Sequence, residues 1–327
     1  MPGRRELKIW DKIVYTVGAS DERSEGKIRG STLAGAYGDE LTLWPESFFK
    51  MMLSRMSLEG AQFFGTTNTD NPNHWLKKEY IDRKNTLNLS LFHFKLEDNP
   101  FLPMSYVEAL RKEYVGLWYK RFILGHWCVA EGAIFDFFDA TKHVLQQYPE
   151  AVYYDVGIDY GTTNPCVFIL FGCNPFGKPK IWAEREYYYD PVKRARQQTD
   201  VEFSKDFKAF TAPVANKIRN IYCDPSAESF QLQLKRDGVV GLRDAENEVL
   251  DGIRTVARML QNGEFAIYKD CVNYINEMYS YAWNPKKQIV GQDVPLKVND
   301  HCQDTGRYVI YSKYGSGSQY DISKFVN

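Results

Sequence analysis

The chain has 327 residues, 44% of them hydrophobic and 25% charged, with a formal net charge of -1. That length exceeds what one hydrophobic core usually supports and points to two domains. The balance excludes a protein coated in positive charge but leaves room for a local nucleic-acid groove, with Lys193, Arg194 and Arg196 either lining one or forming an ordinary solvated face.

No apolar run approaches the roughly 18 residues of a membrane helix, and the basic opening MPGRRELKIWDK lacks the apolar stretch of a signal peptide. The expected location is the cytoplasm, with no membrane partner. Six scattered cysteines show no zinc-ligand spacing and read as buried reduced thiols.

In chain order, KIVYTVGA (12 to 19) and STLAGAY (31 to 37) read as strands, the second apolar enough for a buried parallel sheet. PESFFKMMLSRMSL (45 to 58) reads as a helix with its apolar face at 48, 49, 52, 53 and 56, and AQFFG (61 to 65) as another strand. This alternation is α/β architecture. A helical pair is predicted over MSYVEALRKEYVGLWYKRFILG, and a domain boundary falls near 131 to 150.

The last part opens with three antiparallel strands, 152 to 159, 166 to 172 and 179 to 187. Thr199 and Glu202 form a capping box for a helix from 200 to 210. Strand 218 to 223 delivers Asp224 and a helix to Lys235; a helix over 250 to 262 stops at Gly263. FAIY (265 to 268), a helix through 283 and a final helix from about Asp300 complete a mixed five-stranded sheet with helices on both faces. The one flexible-looking stretch is GSGS, 315 to 318.

Asp159 ends the first of these strands in GIDYGTTN, a phrase that suits two chemistries. An actin-like ATPase or kinase would use it as a phosphate loop. Such a loop sits near the start of those proteins, however, and a second glycine-rich phosphate loop must follow; here neither holds. A metal-dependent nuclease needs carboxylates converging from separate elements on two Mg²⁺ or Mn²⁺ ions about 3.5 to 4 Å apart. Asp159, Asp224 at the end of the fourth strand and Asp304 on the last helix are such a set, provided the first and fourth strands are neighbours. In NDHCQDTGRY (299 to 308), Asp300 and His301 share a helix face with Asp304. Asp300 is either a further metal ligand or an N-cap; His301 either stabilises charge, donates a proton or packs.

GIDYGTTNP, YCDPSAES, GIRTVARMLQNG and NDHCQDTGRY, with KIRGSTLAGAYGDE, GTTNTDNPNHWLK and YKRFILGHWCVAEGAIFDFFD before them, together resemble the large subunit of the tailed-phage terminase, in the branch typical of prophages of Gram-positive bacteria. The resemblance covers essentially the whole chain. It implies a partial P-loop-type ATPase domain over 1–95, a helical linker subdomain over 96–150 and a ribonuclease H-like nuclease domain over 151–327. It implies an endonuclease cutting concatemeric double-stranded DNA at Asp159, Asp224 and Asp304, and as partners a small terminase subunit and the portal protein of the procapsid. A catalytically inactive packaging-assembly component is the alternative.

The same resemblance makes Asp39 the organiser of the Mg²⁺ of ATP and Glu40 the residue that polarises the attacking water. Thr66, Thr67 and Asn68 become the coupling motif that senses the γ-phosphate. The phosphate loop G-x-x-x-x-G-K-[ST] is not among the 327 residues. The expectation is therefore that ATP is bound only if that segment is supplied, the chain being a fragment, half of a split gene or a decayed prophage relic.

Overall fold

The computed structural model describes residues 5–19 and 21–315. They divide into two units that the chain visits alternately: residues up to 102, 119–129 and 286–293 make the first, and 103–118, 130–285 and those from 294 onward the second. The stretch 96–150 is thus shared between both. Of GSGS, only Gly315 lies within the described residues.

In the first unit, β1 (Arg5–Ile9) and β2 (Lys12–Thr16) form an antiparallel hairpin, and β3 (Gly35–Gly38) pairs in parallel with β4 (Gln62–Gly65). The strand read at 31–37 begins only at Gly35 and is largely exposed, contrary to the buried strand expected. Its only partner among the described residues is β4, so burial comes from one side, and Tyr37 stays 65% exposed. The helical face is as expected: α1 (Glu46–Arg55) buries Phe48, Phe49 and Met52 against Ile28, Leu41 and Leu76, with Leu53 and Met56 packed at the margin. A buried guanidinium ties distant segments of this unit. Arg121 lies 2.7 Å from Asp70 Oδ1 and 2.5 Å from Asp293 Oδ2, and donates to the Cys128 carbonyl.

The second unit starts with α2 (Met104–Glu113) and β5 (Val144–Leu145), then β6 (Tyr153–Asp159), β7 (Cys166–Cys173) and β8 (Ile181–Tyr189). There follow α3 (Asp200–Thr211), β9 (Ile218–Cys223), α4 (Glu228–Arg236), β10 (Leu242–Asp244), α5 (Val249–Gln261), β11 (Phe265–Tyr268), α6 (Val272–Ser280) and α7 (His301–Tyr314). The sheet has the order β10-β9-β6-β7-β8-β11-β5. It is seven-stranded rather than five-stranded, because β5 and β10, of two and three residues, add to its edges and are too short to leave a periodic signal. The β6-β7-β8 meander is antiparallel and β9 pairs with β6 in parallel, the adjacency on which the nuclease reading depends.

Local signals work as read. The side chains of Thr199 and Glu202 cap α3 reciprocally. At the end of α5, Gly263 has φ +66, donates to Leu260 O, and is followed by Glu264 donating to Met259 O, a Schellman closure.

The two faces of β6 divide the work. Val156 and Ile158 point into a core with Phe168, Leu170, Phe203, Phe207, Phe230 and Leu234. On the other face Asp159, Gly157 and Asp155 meet His301, Thr305 and Lys313 of α7 in turn. The four strand residues from Asp159 to Asp155 span about 13 Å and the twelve helix residues from His301 to Lys313 about 18 Å, and the contacts run in opposite chain directions along the two elements. Helix α7 therefore runs antiparallel along β6, buried on all sides from Cys302 to Tyr311.

Small residues allow that approach. A Cβ on Gly157 would lie 2.7 Å from Thr305 Cγ2, and one on Gly306 1.7 Å from the hydroxyl of Tyr274, a wholly buried ring that has no room to swing. Gly306→Ala is expected to destabilise the protein by about 1–3 kcal/mol through overpacking. The Tyr274 hydroxyl has no hydrogen-bond partner among the described residues, so Tyr274→Phe removes the shortest contact at little cost and relieves part of the clash, the ring carbon Cζ remaining 2.6 Å from the added Cβ. Urea unfolding of the two single variants and the double variant checks this; strictly additive effects would contradict the contact.

Candidate active site

Ile158 on β6 is in register with Cys223 on β9, and both side chains face the core. The next residues, Asp159 and Asp224, therefore leave the same sheet edge side by side on the opposite face, beneath the N-terminal turns of α7. There Asp159 Oδ2 lies 2.9 Å from His301 Nδ1. Asp224 accepts from the Tyr308 hydroxyl at 2.8 Å and from the Ser226 backbone N–H at 2.7 Å. Asp304 accepts from Lys297 Nζ at 2.8 Å and from Arg307 Nη2 at 2.9 Å, and Asp300 lies 3.0 Å from the same Lys297 ammonium. The phenol of Tyr308 is pushed up by burial first and then by Asp159, Asp304 and Asp224, so one ring lies within electrostatic reach of all three acids.

Each acid has a distinct setting. Burial pushes the Asp159 carboxyl above its usual range; the charges of Asp304 and Asp300 add to this, and His301 opposes it. Burial is also the largest influence on His301, pulling its imidazole down, but the hydrogen bond and charge of Asp159, with Asp300 and Glu277, outweigh it and the net direction is up. At Asp224 burial pushes up, and the Ser226 and Tyr308 hydrogen bonds and the Arg307 charge prevail, so its carboxyl sits below the usual range. Burial likewise works against the Lys297 ammonium, and Asp304 and Asp300 raise it.

Among the described residues no three His, Cys, Asp or Glu side chains stand together as a ready metal cage. The acids are instead held by internal partners: the His301 imidazole on Asp159, and the cations Lys297 and Arg307 on Asp304. The donor chemistry fits a hard divalent ion, since oxygen ligands come from three elements and the Asp159 carboxyl is pushed up first by burial and then by neighbouring negative charge.

Asp300 stands at the N-cap position of α7, yet its side chain makes no capping bond. Glu277 on α6 does that work. Its Oε2 accepts from the backbone N–H groups of Cys302 and Gln303 at 2.7 and 3.1 Å, satisfying helix-terminal donors beside His301. The sequence reading did not single out Glu277. Its signal is a carboxylate in the otherwise apolar stripe Tyr274, Met278 and Tyr281. Tyr308, Lys297 and Arg307 were likewise not singled out.

Burial pushes the Glu277 carboxyl up to about 8, against the two N–H groups. A carboxyl raised on folding adds stability that is complete below its unfolded value of 4.5 and is lost as the pH rises through about 8. Between those limits the wild type is expected to lose up to about 1.4 kcal/mol per pH unit relative to Glu277→Gln. Urea unfolding of both proteins at pH 6 and pH 8.5 measures the difference; parallel pH profiles would refute it.

Comparison with known proteins gives the family of the chain. Residues 5–142 match the family described as terminase large subunit, T4likevirus-type, N-terminal. The large subunit of the terminase of Escherichia phage T5 is 23% identical over 252 residues, 73% of this chain, and the match spans 56% of that relative's length. The large terminase of the thermophilic bacteriophage D6E is 36% identical over 96% of this chain and 77% of its own, with a TM-score of 0.88. The chain belongs to the terminase large-subunit family. A second D6E structure, 37% identical with a TM-score of 0.81 over 89% of this chain and 72% of its own, is a complex with ADP.

The first unit of this terminase chain brings its two candidate ATP motifs together. Asp39 and Thr66 follow the paired strand ends Gly38 and Gly65, and Thr66 donates to Asp39 Oδ1 at 2.6 Å. Thr67 accepts from the Thr42 N–H at 3.2 Å and donates to the Asn68 carbonyl at 3.0 Å. Glu40 sits at φ +51, a left-handed conformation that costs a non-glycine residue energy. All five residues, Asp39, Glu40, Thr66, Thr67 and Asn68, are exposed.

The basic cluster of this terminase is partly neutralised, with Lys193 beside Asp190 and Arg196 paired with Glu202. All six cysteines are free thiols, five of them buried and Cys128 half-buried. No helix among the described residues is long and apolar enough to cross a membrane.

Proposed function

We propose that this chain is an endonuclease of viral DNA packaging, cutting concatemeric double-stranded DNA by metal-dependent hydrolysis. The observation that carries the reading is that Asp159 and Asp224 leave adjacent strand ends beneath the helix that bears Asp304, with His301 and Tyr308 of that helix bonded to Asp159 and Asp224. Two Mg²⁺ or Mn²⁺ ions held by these acids, with Asp300 as a further ligand, would supply Lewis-acid catalysis of phosphodiester hydrolysis.

The remaining residues orient that site. His301 engages Asp159 through Nδ1, which fixes the ring and leaves Nε2 as the atom that moves a proton. Tyr308 aims Asp224, and Arg307, anchored on the carbonyls of Asn247 and Glu248, aims Asp304. DNA contacts are mainly to the phosphate backbone.

Residues 1–95 would act as part of an ATPase, with Asp39 and Glu40 as its acids and Thr66, Thr67 and Asn68 as its coupling motif; 96–150 would act as linker and 151–327 as the nuclease. ATP would bind once a phosphate-loop segment is supplied. The D6E relative, solved with ADP and with ATP-γ-S, supports a nucleotide site in the family fold. A small terminase subunit and the portal protein are the proposed partners, the bacterial host cytoplasm is the proposed setting, and the prophage branch is the proposed lineage.

The test is nicking and linearisation of supercoiled plasmid by the purified chain with Mn²⁺ or Mg²⁺ and with EDTA. Metal-dependent cutting is expected, and intact plasmid across several metals and salts would end the nuclease reading.

A further inference from the structure

Two cations, Arg307 and Lys297, and the His301 imidazole face the acid cluster, and they are held differently. Arg307 is nearly fully buried and has a second anchorage on Asn247 and Glu248. The His301 side chain is 19% exposed and bonded to Asp159. Lys297 lies outside any helix or strand with its side chain 58% exposed, and its ammonium hydrogen-bonds Asp304 and faces Asp300 as an ion pair. Its ammonium is 3.0 Å from Asp300 Oδ2 and 2.8 Å from Asp304 Oδ2, whose own side chains are 7% and 11% exposed. One lysine ammonium thus bridges two buried carboxylates.

We propose that Lys297 is a built-in stand-in cation, whose ammonium occupies the Asp300–Asp304 pair and must withdraw before a divalent ion takes those oxygens. This rests on the nuclease reading of the site. The physical reason is direct competition. Two close carboxylates buried without a counter-charge would be costly in the protein before metal loading, and a single lysine offsets that cost. A doubly charged ion binds the same oxygens more strongly, but its apparent affinity is reduced by whatever the lysine contributes. Because most of the Lys297 side chain is exposed, it can swing away without disturbing the core, which the buried Arg307 cannot do.

The experiment is Mn²⁺ binding to the full chain, followed by calorimetry and by the electron spin resonance of free Mn²⁺. Wild type is compared with Lys297→Met, Lys297→Gln and Lys297→Arg, and with Lys50→Met as a charge removed in the other unit. Methionine and glutamine at 297 are expected to tighten Mn²⁺ binding by about three- to tenfold, the strength of a half-exposed ion pair. Arginine, which keeps the charge, and Lys50→Met are expected to leave it unchanged. Unaltered or weaker binding in both neutral variants, with a wild type that binds Mn²⁺ and cuts plasmid, overturns the inference and leaves the nuclease reading standing. Equal tightening in Lys50→Met overturns it too, since net charge would then be the cause. If neither wild type nor Lys297→Met binds Mn²⁺ and the plasmid stays intact, both readings fall.

Discussion

Asp159→Asn is expected to cut plasmid DNA at least about a hundredfold more slowly than wild type in Mn²⁺, while unfolding at an equal or higher urea concentration. The first effect follows from removing the charge of a site acid; asparagine keeps the shape and can still accept the His301 Nδ1 hydrogen bond. The second follows from burial. A carboxyl whose value is raised on folding stabilises the protein only at low pH, and that stability is lost as the pH rises through the folded value, so at neutral pH the buried charge is a burden. Opposite signs for activity and stability are the mark of a residue kept for function. Cutting at the wild-type rate would remove Asp159 from the site, and a clear loss of stability would show that its charge is structural.

Lys313→Met is expected to destabilise the second unit by about 3–5 kcal/mol, the cost of leaving a buried charge without its partner. Asp155 is fully buried on the α7 face of β6, and Lys313 Nζ lies 2.6 Å from its Oδ2. The other oxygen accepts from the Asn220 backbone and side chain at 3.2 and 3.0 Å, so this pair also ties α7 to the start of β9. Adding Asp155→Asn should restore much of the loss by removing the stranded charge. Calorimetric unfolding of the two single variants and the double variant gives the coupling; a Lys313→Met loss below about 1 kcal/mol would mean that water reaches Asp155 when the lysine is gone.

Both residues belong to one pattern that can be read in the sequence once the fold is known. Asp155, Gly157 and Asp159 alternate on a strand, and His301, Thr305, Val309 and Lys313 recur every four residues on a helix. Each end of this match carries a side-chain pair, Asp159 with His301 at the candidate active site and Asp155 with Lys313 at the far end of α7.

Much of this protein is determined by local chemistry alone. The capping box at Thr199, the glycine stop at Gly263, the apolar face of α1 and the placement of Asp159 and Asp224 at strand ends all follow from interactions within a few residues. The adjacency of β6 and β9 follows from an antiparallel meander succeeded by alternating helices and strands. What only the tertiary structure decided is the partner of each buried charge. That Glu277 rather than Asp300 caps α7, that Arg121 joins Asp70 to Asp293 and that Lys313 answers Asp155 depend on segments tens to hundreds of residues apart, and that Lys297 bridges Asp300 and Asp304 depends on how the loop before α7 folds back over its first turn. A carboxylate looks the same in the sequence whether it faces water or a buried lysine; only packing removes the water and makes the choice of partner matter energetically.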